Sequence, residues 1–379
     1  MKVTVVGGGP AGLYFAYLMK GSFPDYDVRV VEQNAADVTF GFGVVLSGRA
    51  LSFIGQVDEA AIKRLSSRME SWSDQHIVHR GQRIVIDGSS YSAIARIALL
   101  QELQAMCRER GVKMVFNQRF SPDSMSEACD VLVAADGANS IVRDAYADAF
   151  GPRVTDLQNY FAWYGVEHPY PAHTLTFCAN DAGVFCGHHY RYTLAMSTFV
   201  AEVDAETWHC SGMAKLDDEQ RRRYVEGVFA GALAGKPLIS NKSNWRRWRL
   251  IKNDRWSAGN AVLIGDAQRT AHPSIGSGTR LAMEDSIALW RAFQCEGQDV
   301  PAAFARYERE RRPIRDKLNR AAELSVDWYE DMAGKMQLSP YELAYDYMLR
   351  TGVMTPERLA EECPKFYAAC QKASMKETA

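Results

Sequence analysis

The stretch that most constrains this chain is its beginning, "KVTVVGGGPAGLYFAYLMK" from Lys2 to Lys20. A short β-branched strand runs straight into Gly7-x-Gly9-x-x-Gly12 and then into a segment whose apolar residues recur at helical spacing. Gly7 permits a tight turn and Gly9 lets the backbone approach a pyrophosphate. Pro10 and Ala11 open the helix, and Gly12 lets helix and strand pack closely. The next strand, "VRVVEQ", ends in Glu32 and Gln33; Glu32 lies 20 residues beyond Gly12, where an acid accepts hydrogen bonds from a ribose hydroxyl pair. Strand, glycines, helix, strand and acid in this order predict a βαβ unit that binds a dinucleotide. "FGFG" at 40–43 follows no complete βαβ unit, so a second Rossmann domain for a stably bound nicotinamide is not expected.

Two later segments end in the same way. "CDVLVAADGANSIVRDAY" (129–146) is an apolar strand closing on Asp136-Gly137. "GDAQRTAHPSIGSG" (265–278) follows the apolar run Ala261–Ile264 with Gly265-Asp266, a proline and a glycine-rich turn, and then a helical pattern. A helix opened in this way presents bare backbone amides to an anion or an electron-rich ring oxygen. Three strand ends converging on one ligand imply something longer than a nucleotide.

These three motifs, in this order and spacing over roughly residues 1–320, resemble those of the single-component FAD-dependent aromatic hydroxylases, the family of para-hydroxybenzoate hydroxylase. The resemblance implies an α/β fold: a Rossmann-like, GR2-type FAD-binding lobe with an interleaved antiparallel β-sheet substrate domain and C-terminal helices. It implies that Asp266 contacts the ribityl and pyrophosphate region of FAD. Gly276, Ser277, Gly278 and Thr279 would lie beside the flavin ring, and Asp136-Gly137 would serve both FAD and a passing NADH or NADPH. Arg96, at a helix start, matches a position where the family places an arginine near FAD, and Arg49 is a second candidate for a flavin- or nicotinamide-facing charge. "FGFGVVLSGRAL", "IARIALLQELQAMCRERGV", "TAHPSIGSGTRLAMEDSIAL" and "SPYELAYDYMLRTG" resemble the branch acting on salicylyl- and aminobenzoyl-CoA thioesters and, further off, a violacein-pathway hydroxylase. Some members of that branch carry an added barrel domain, and this chain resembles the hydroxylase module alone. Where the broad family often reads Gly-Asp-Ala-Ala-His with two prolines, this chain has Gln268, Arg269, His272 and a single Pro273, so substrate contacts do not transfer.

The activity implied is hydroxylation of an electron-rich ring by O₂ through a C4a-hydroperoxyflavin, the protein excluding water and stabilising charge. His272, Pro273, Ser274 and His188 are the candidate catalytic residues, with backbone amides from Ser274 to Gly278 facing the flavin. The substrate expected is a small aromatic molecule carrying OH or NH₂, possibly CoA-linked. A free aromatic acid, an indole-derived acid and a non-catalytic flavin-binding protein stand as alternatives. A halogenase is disfavoured because its W-x-W-x-I-P signature is absent: 245–250 read "WRRWRL".

Residues 1–75, 93–155 and 257–295 read as the FAD-binding lobe, 76–92 and 156–256 as the substrate-binding sheet, and 296–379 as long helices covering the surface. In the sheet, Tyr160, Trp163, Phe177, Phe185, His188, Tyr190 and Phe199 are candidate substrate-wall residues, and His188-His189 must point to opposite faces. His76 and His79 are expected to face solvent. No metal site is expected, because neither the histidines nor the eight scattered cysteines show ligand spacing. A net charge of −2 excludes a general attraction to nucleic acid or an anionic membrane. The one basic cluster, "NWRRWRLIKNDRW" (244–256), reads as a strand with a solvated basic face, or else as a contact for ligand phosphates. With no signal peptide or membrane-spanning run, a cytoplasmic monomer or homodimer is expected.

Overall fold

The computed structural model describes residues 1–121, 129–276 and 278–377. The opening strand, Lys2–Val6, is central in a six-stranded sheet whose order is Ser257–Ala258, Ala261–Leu263, Val131–Ala134, Lys2–Val6, Asp27–Val31, Lys113–Val115. All neighbours in this sheet run parallel except the outermost pair at the Ser257 edge. Parallel strands covered on both faces read as continuous apolar runs, which is why "VTVV", "VLVA" and "AVLI" lack alternation. The helix Pro10–Ser22 is buried from Pro10 to Met19 because it lies between this sheet and the helices Arg96–Glu109 and Gly278–Glu296.

A second, eight-stranded sheet has the order Leu238–Ser240, Pro152–Val166, Ser197–Val203, Gly183–Arg191, His173–Asn180, Gln75–His79, Gln82–Ile86, with Arg246–Asn253 also paired to Pro152–Val166. Here the strands alternate. Ala162, Tyr164, Phe185, Phe199, Ala201 and Val203 pack on one face against Trp208 of the Ala205–Cys210 helix and Phe229, which follows the Asp218–Val228 helix. Phe161, Trp163, His188, Tyr190, Val200 and Glu202, each offset by one residue, line a cavity on the other. A three-stranded sheet of Gly43–Ser47, Tyr91–Ala95 and Glu70–Trp72 closes one side of that cavity through Val45 and Tyr91.

The C-terminal helices do more than cover a surface. Val300–Glu330 buries Tyr307, Arg311, Arg315, Asn319 and Tyr329, and the following helices pack Tyr347, Leu359 and Phe366 under the second sheet beside Ile77, Leu175 and Phe177. His79 is likewise buried, with Nε2 3.1 Å from the Leu338 carbonyl and its ring edge-on to Phe177. His76, on the opposite face of the same strand, is half-buried, so neither histidine is freely solvated as expected; the C-terminal helices cover the His79 side. Among the described residues no helix is long and apolar enough to cross a membrane.

Candidate active site

The glycines of the first turn divide into two kinds. A side chain at Gly7, whose φ is +105°, would place its Cβ 2.4 Å from the Ala135 carbonyl oxygen, and one at Gly12 would come 2.1 Å from the Gly7 carbonyl oxygen. Those two positions are closed by the protein itself. At Gly9, by contrast, an added Cβ meets nothing within 4 Å, so that glycine faces open space at the start of the helix. The space is a cavity of about 220 Å³ lined by Gly7, Gly9, Glu32, Gln33, Arg96, Asp136 and Gly137 among others. The sequence thus marked its wall from four separate stretches.

Within the cavity Glu32 is fixed by the chain: Oε2 accepts the Gly8 N–H at 2.6 Å, and Oε1 accepts from the Asn34 backbone at 2.8 Å and its side chain at 2.7 Å. Asp136 accepts the N–H groups of Ile141 at 2.8 Å and Val142 at 3.3 Å through Oδ2. Its Oδ1 is buried without a partner among the described residues. Burial raises its pKa, against the lowering effect of these hydrogen bonds. A buried acceptor that the protein leaves unsatisfied is unusual; here it fits a ligand hydroxyl, as the open space over Gly9 fits a pyrophosphate. Arg96 donates through Nε to Thr39 Oγ1 at 3.1 Å, and its backbone N–H reaches the Phe42 carbonyl at 2.7 Å.

Asp266 sits in the short turn after Ala261–Leu263. Gly265 has φ +62° and lies against Ala11 at the opening of the first helix, so the third motif meets the first. Burial raises the Asp266 pKa while the cations Arg315 and Arg96 oppose the shift. Behind it Asp285 accepts the Gly265 N–H at 3.1 Å and is ion-paired to Arg311 at 2.8 Å and Arg315 at 3.3 Å, all fully buried. This bracing is supplied by the 278–296 and 300–330 helices and had no signal in the glycine motifs.

The Pro273–Ile275 turn follows. Here the amides expected to face the flavin are already engaged. Ser274 N–H donates to His272 Nδ1 at 3.3 Å, Ile275 to the His272 carbonyl at 3.5 Å, and Gly276 to the Pro273 carbonyl at 2.8 Å. The donors left without an intrahelical partner at this end are those of the first turn of the Gly278–Glu296 helix, where Gly278 and Thr279 lie. Ser277 lies outside the described residues. His272 is buried, and burial foremost lowers its pKa to about 4, so it caps the turn as a neutral ring.

Pro273, Ser274 and Gly276 form one side of the second cavity, of about 120 Å³. His188, Trp163 and Tyr190 line it as anticipated, and His189 turns to the opposite face, 2.9 Å from Thr176 Oγ1. Four other candidates lie elsewhere. Tyr160 stacks on Trp208 at 4.4 Å, Phe185 and Phe199 belong to the core of the opposite face, and Phe177 packs on Trp328. The register explains Tyr160: Trp163 is three residues on, so period two places Phe161, not Tyr160, on its face. Arg49, in the first turn of the Gly48–Gly55 helix, is exposed and lines neither cavity, its guanidinium being drawn to Glu362 at 3.2 Å. The basic strand is solvated as its alternation indicates: Arg247 and Arg249 share Asp156, and Lys252 pairs with Glu323. Arg246 is the member whose guanidinium lies over Trp163, 5.6 Å from the ring centroid.

The cavity also contains residues not anticipated: Phe161, Tyr91, His173, Glu202, Tyr347 and Arg350. Glu202, an acid inside the apolar run "TFVAEV", is the one with a readable signal, since an unpaired acid is rarely buried. Arg350 donates to Ser325 Oγ at 3.0 Å, the Tyr347 carbonyl at 2.7 Å and the Ser274 carbonyl at 2.9 Å, tying the C-terminal helices to the turn.

Comparison with known proteins accords with this geometry. A family described as "FAD binding domain" matches residues 74–322. The chain is 36% identical over 363 residues to a salicyloyl-CoA 5-hydroxylase from a Streptomyces species, covering 93% of this chain and 70% of the relative. It is 35% identical over 333 residues to the 3-hydroxy-4-methyl-anthranilyl-[aryl-carrier protein] 5-monooxygenase of Streptosporangium sibiricum, covering 87% of this chain and 89% of that one. Among solved structures, a variant of 2-methyl-3-hydroxypyridine-5-carboxylic acid oxygenase shares the fold with a TM-score of 0.73 at 20% identity, over 95% of this chain and 96% of the other.

Proposed function

The chain belongs to the FAD binding domain family and is an FAD-dependent aromatic monooxygenase that draws on NAD(P)H and O₂; from that premise we propose that its substrate is a single hydroxylated or amino-substituted ring carried as a thioester on a pantetheine arm. The observation that carries this reading is the second cavity. Its volume of about 120 Å³ is of the order of cavities that admit benzene, about 150 Å³, and so suits one ring better than a fused pair. Its wall pairs aromatic surface from Phe161, Trp163 and Tyr190 with polar groups of His188, Glu202 and His173. The thioester part of the reading is supported by the two relatives just described, one named for a CoA ester and the other for an aryl-carrier protein. It is supported too by Arg246, an exposed cation over the half-buried Trp163 of the wall, where an anionic arm leaving the cavity would pass.

In this reading the first cavity holds FAD: Gly7, Gly9, Pro10, Ala11 and Gly12 form the pyrophosphate turn, Glu32 and Gln33 bound the ribose, and Arg96, Asp136, Gly137, Gly265 and Asp266 complete the cradle. When bound, the flavin supplies the activation of O₂ that no side chain can. The chain's own tasks are to orient the ring and keep water out. Gly278 and Thr279, at the positive end of a 19-residue helix, stabilise negative charge that develops beside them. Pro273, Ser274 and Gly276 separate the two cavities, His272 holds that turn in shape, and His188 meets the ring substituent.

The test is a comparison of salicylyl-CoA, 2-aminobenzoyl-CoA, the two free acids and tryptophan as stimulants of NADH and NADPH oxidation, with H₂O₂ counted against hydroxylated product. Coupled turnover is expected with the thioesters. Hydroxylation of free acids alone, or of the indole alone, overturns the proposed substrate class.

A further inference from the structure

The polar groups of the second cavity are not evenly distributed. His188 and Glu202 come from adjacent antiparallel strands, one register step apart on the cavity face: His188 is opposite Val200, and Cys186 is opposite Glu202. His188 Nε2 is 3.1 Å from Glu202 Oε2. The other carboxylate oxygen, Oε1, accepts from Asn159 Nδ2 at 2.9 Å, and the same amide nitrogen donates to the Tyr329 carbonyl at 3.0 Å. Glu202 is 3% exposed and Asn159 3%, so the carboxylate is held from both sides inside the protein. Burial raises the Glu202 pKa, but the hydrogen bonds it accepts from His188 and Asn159, with the nearby imidazoles, outweigh that and bring it below its usual value, so the group is a carboxylate.

A carboxylate only accepts hydrogen bonds, so the imidazole must present Nε2–H to it. That fixes the tautomer and leaves Nδ1 as the acceptor. A buried acid is costly unless a partner compensates it, and a core would be better served here by an apolar side chain. The arrangement therefore calls for a use.

We propose that His188 and Glu202 act as a carboxylate–imidazole couple that takes the proton from the ring hydroxyl of the substrate, with Glu202 the positioning residue and Asn159 its clamp. The inference rests on the reading that a hydroxylated ring occupies this cavity. The substrate O–H bond breaks and an Nδ1–H bond forms. The electron pair stays on the ring oxygen and raises electron density at the carbons ortho and para to it, where oxygen is to be inserted. Glu202 stabilises the imidazolium meanwhile. As the ring recovers aromaticity, the hydroxylated carbon loses its hydrogen as a proton to solvent and His188 returns its proton to the ring oxygen, so the couple ends as it began.

The groups facing this couple do not compete for the proton. Burial foremost lowers the pKa of His173 to about 3, with Arg350 adding to it, and burial foremost lowers that of His272 to about 4. The Cys186 thiol, 3.6 Å from Nε2, and the Tyr329 phenol, whose ring lies 5.2 Å from that of His188, are both pushed well up by burial and stay protonated. Arg350 supplies a fixed positive charge from the C-terminal helices.

The experiment combines two readouts in the FAD-loaded enzyme. The first is the imidazole titration of His188, followed by NMR without substrate, in wild type, Glu202→Gln and the charge-retaining Glu202→Asp. The second is the pH profile of kcat for hydroxylation of salicylyl-CoA by the same proteins and by His188→Gln. Neutralising Glu202 removes the acceptor that orients the ring and the charge that would stabilise its imidazolium. Glu202→Gln should move both the NMR midpoint and the acid limb of kcat to lower pH by about one to three units and lower the plateau. Glu202→Asp should restore much of both. His188→Gln should abolish the limb and lower kcat by about 10²–10⁴. An NMR midpoint that Glu202→Gln leaves unmoved overturns the couple, and a midpoint that moves while the kcat limb does not overturns the proton transfer. If no hydroxyaryl thioester or free hydroxyaryl acid stimulates the wild type, the substrate reading falls and the proton transfer with it, a failure told apart by an NMR shift that is nonetheless present.

Discussion

The two cavities of this protein share no lining residue and are built on opposite plans. The first is shaped by backbone: Gly7, Gly9 and Gly12 set the turn at the end of the Lys2–Val6 strand, and side chains such as Glu32, Arg96 and Asp136 complete the wall. The second is made by side chains drawn from two sheets, the Pro273–Ile275 turn and the C-terminal helices, from Val45 to Arg350. A backbone cradle recognises what all users of a cofactor share, a pyrophosphate and a ribose. A side-chain cavity recognises what one substrate has of its own. The contrast is sharpest in what a single methyl group would do in each.

The largest effect is expected from Gly12→Ala. Its Cβ would lie 2.1 Å from a backbone oxygen and 3.0 Å from Val5 Cγ1, so helix and strand must separate. Overpacking of this kind costs about 1–3 kcal/mol or more, and the purified protein should be colourless with a lowered Tm. Gly9→Ala adds the same methyl where the protein has nothing within 4 Å. Its apoprotein should melt as wild type does while FAD affinity, read by flavin fluorescence, falls at least tenfold. A Gly9→Ala protein that binds FAD normally would mean that the cofactor does not approach this turn.

That difference also explains what the sequence could disclose. Gly7, Gly9, Gly12, Glu32, Asp136, Gly265 and Asp266 were legible because backbone geometry leaves a local mark: φ of +105° at Gly7 needs glycine, φ of +62° at Gly265 favours it, and the marks fall at strand ends. The substrate wall left no such mark. Trp163 and Tyr190 were found, but Tyr160, Phe185 and Phe199 were mistaken for wall because aromatic residues occur on both faces of a two-sided sheet, and register alone decides between them. Arg350 and Tyr347 could not be read at all, since their place depends on a helix more than a hundred residues from the strands it packs on. The amides of Ser274 and Gly276 are engaged within their own turn, a detail no motif discloses, because a turn satisfies its own donors before any ligand arrives.

The second prediction tests whether the side-chain cavity can fail while the backbone cradle stands. Arg350 ties the C-terminal helices to the Pro273–Ile275 turn through the Ser274 carbonyl and Ser325. Arg350→Lys keeps the charge and loses the fork that reaches both. A hydrogen bond from a charged donor is worth about 1.5–3 kcal/mol, which corresponds to roughly a ten- to hundredfold fall in kcat/KM. Flavin content should be unchanged, and the fraction of NAD(P)H consumed that appears as H₂O₂ should rise, because a loosened wall admits water. A parallel loss of FAD would show that the two cavities are one mechanical unit and that the contrast drawn here is wrong.

The smallest effect expected is at Arg246, where the side-chain cavity meets solvent. Its contact with the Trp163 ring is long, at 5.6 Å, and exposed; such contacts are worth about 0.5–1 kcal/mol, so Arg246→Ala should shift Tm very little. If an anionic arm passes this point, however, the same change should raise KM for salicylyl-CoA by about two- to fivefold at low salt, in line with the small energies of exposed charge pairs. The difference should fade near 0.5 M salt, where the screening length falls to about 4 Å. KM for any free acid that turns over should not move. Arg247→Ala, whose guanidinium already answers Asp156 at 3.5 Å, should do less on every count. Equal effects of Arg246→Ala on thioester and free acid would place its action on the Trp163 wall instead of on a phosphate. The cavity would then be a complete recognition site for the ring, and the arm would be left to find its own way out.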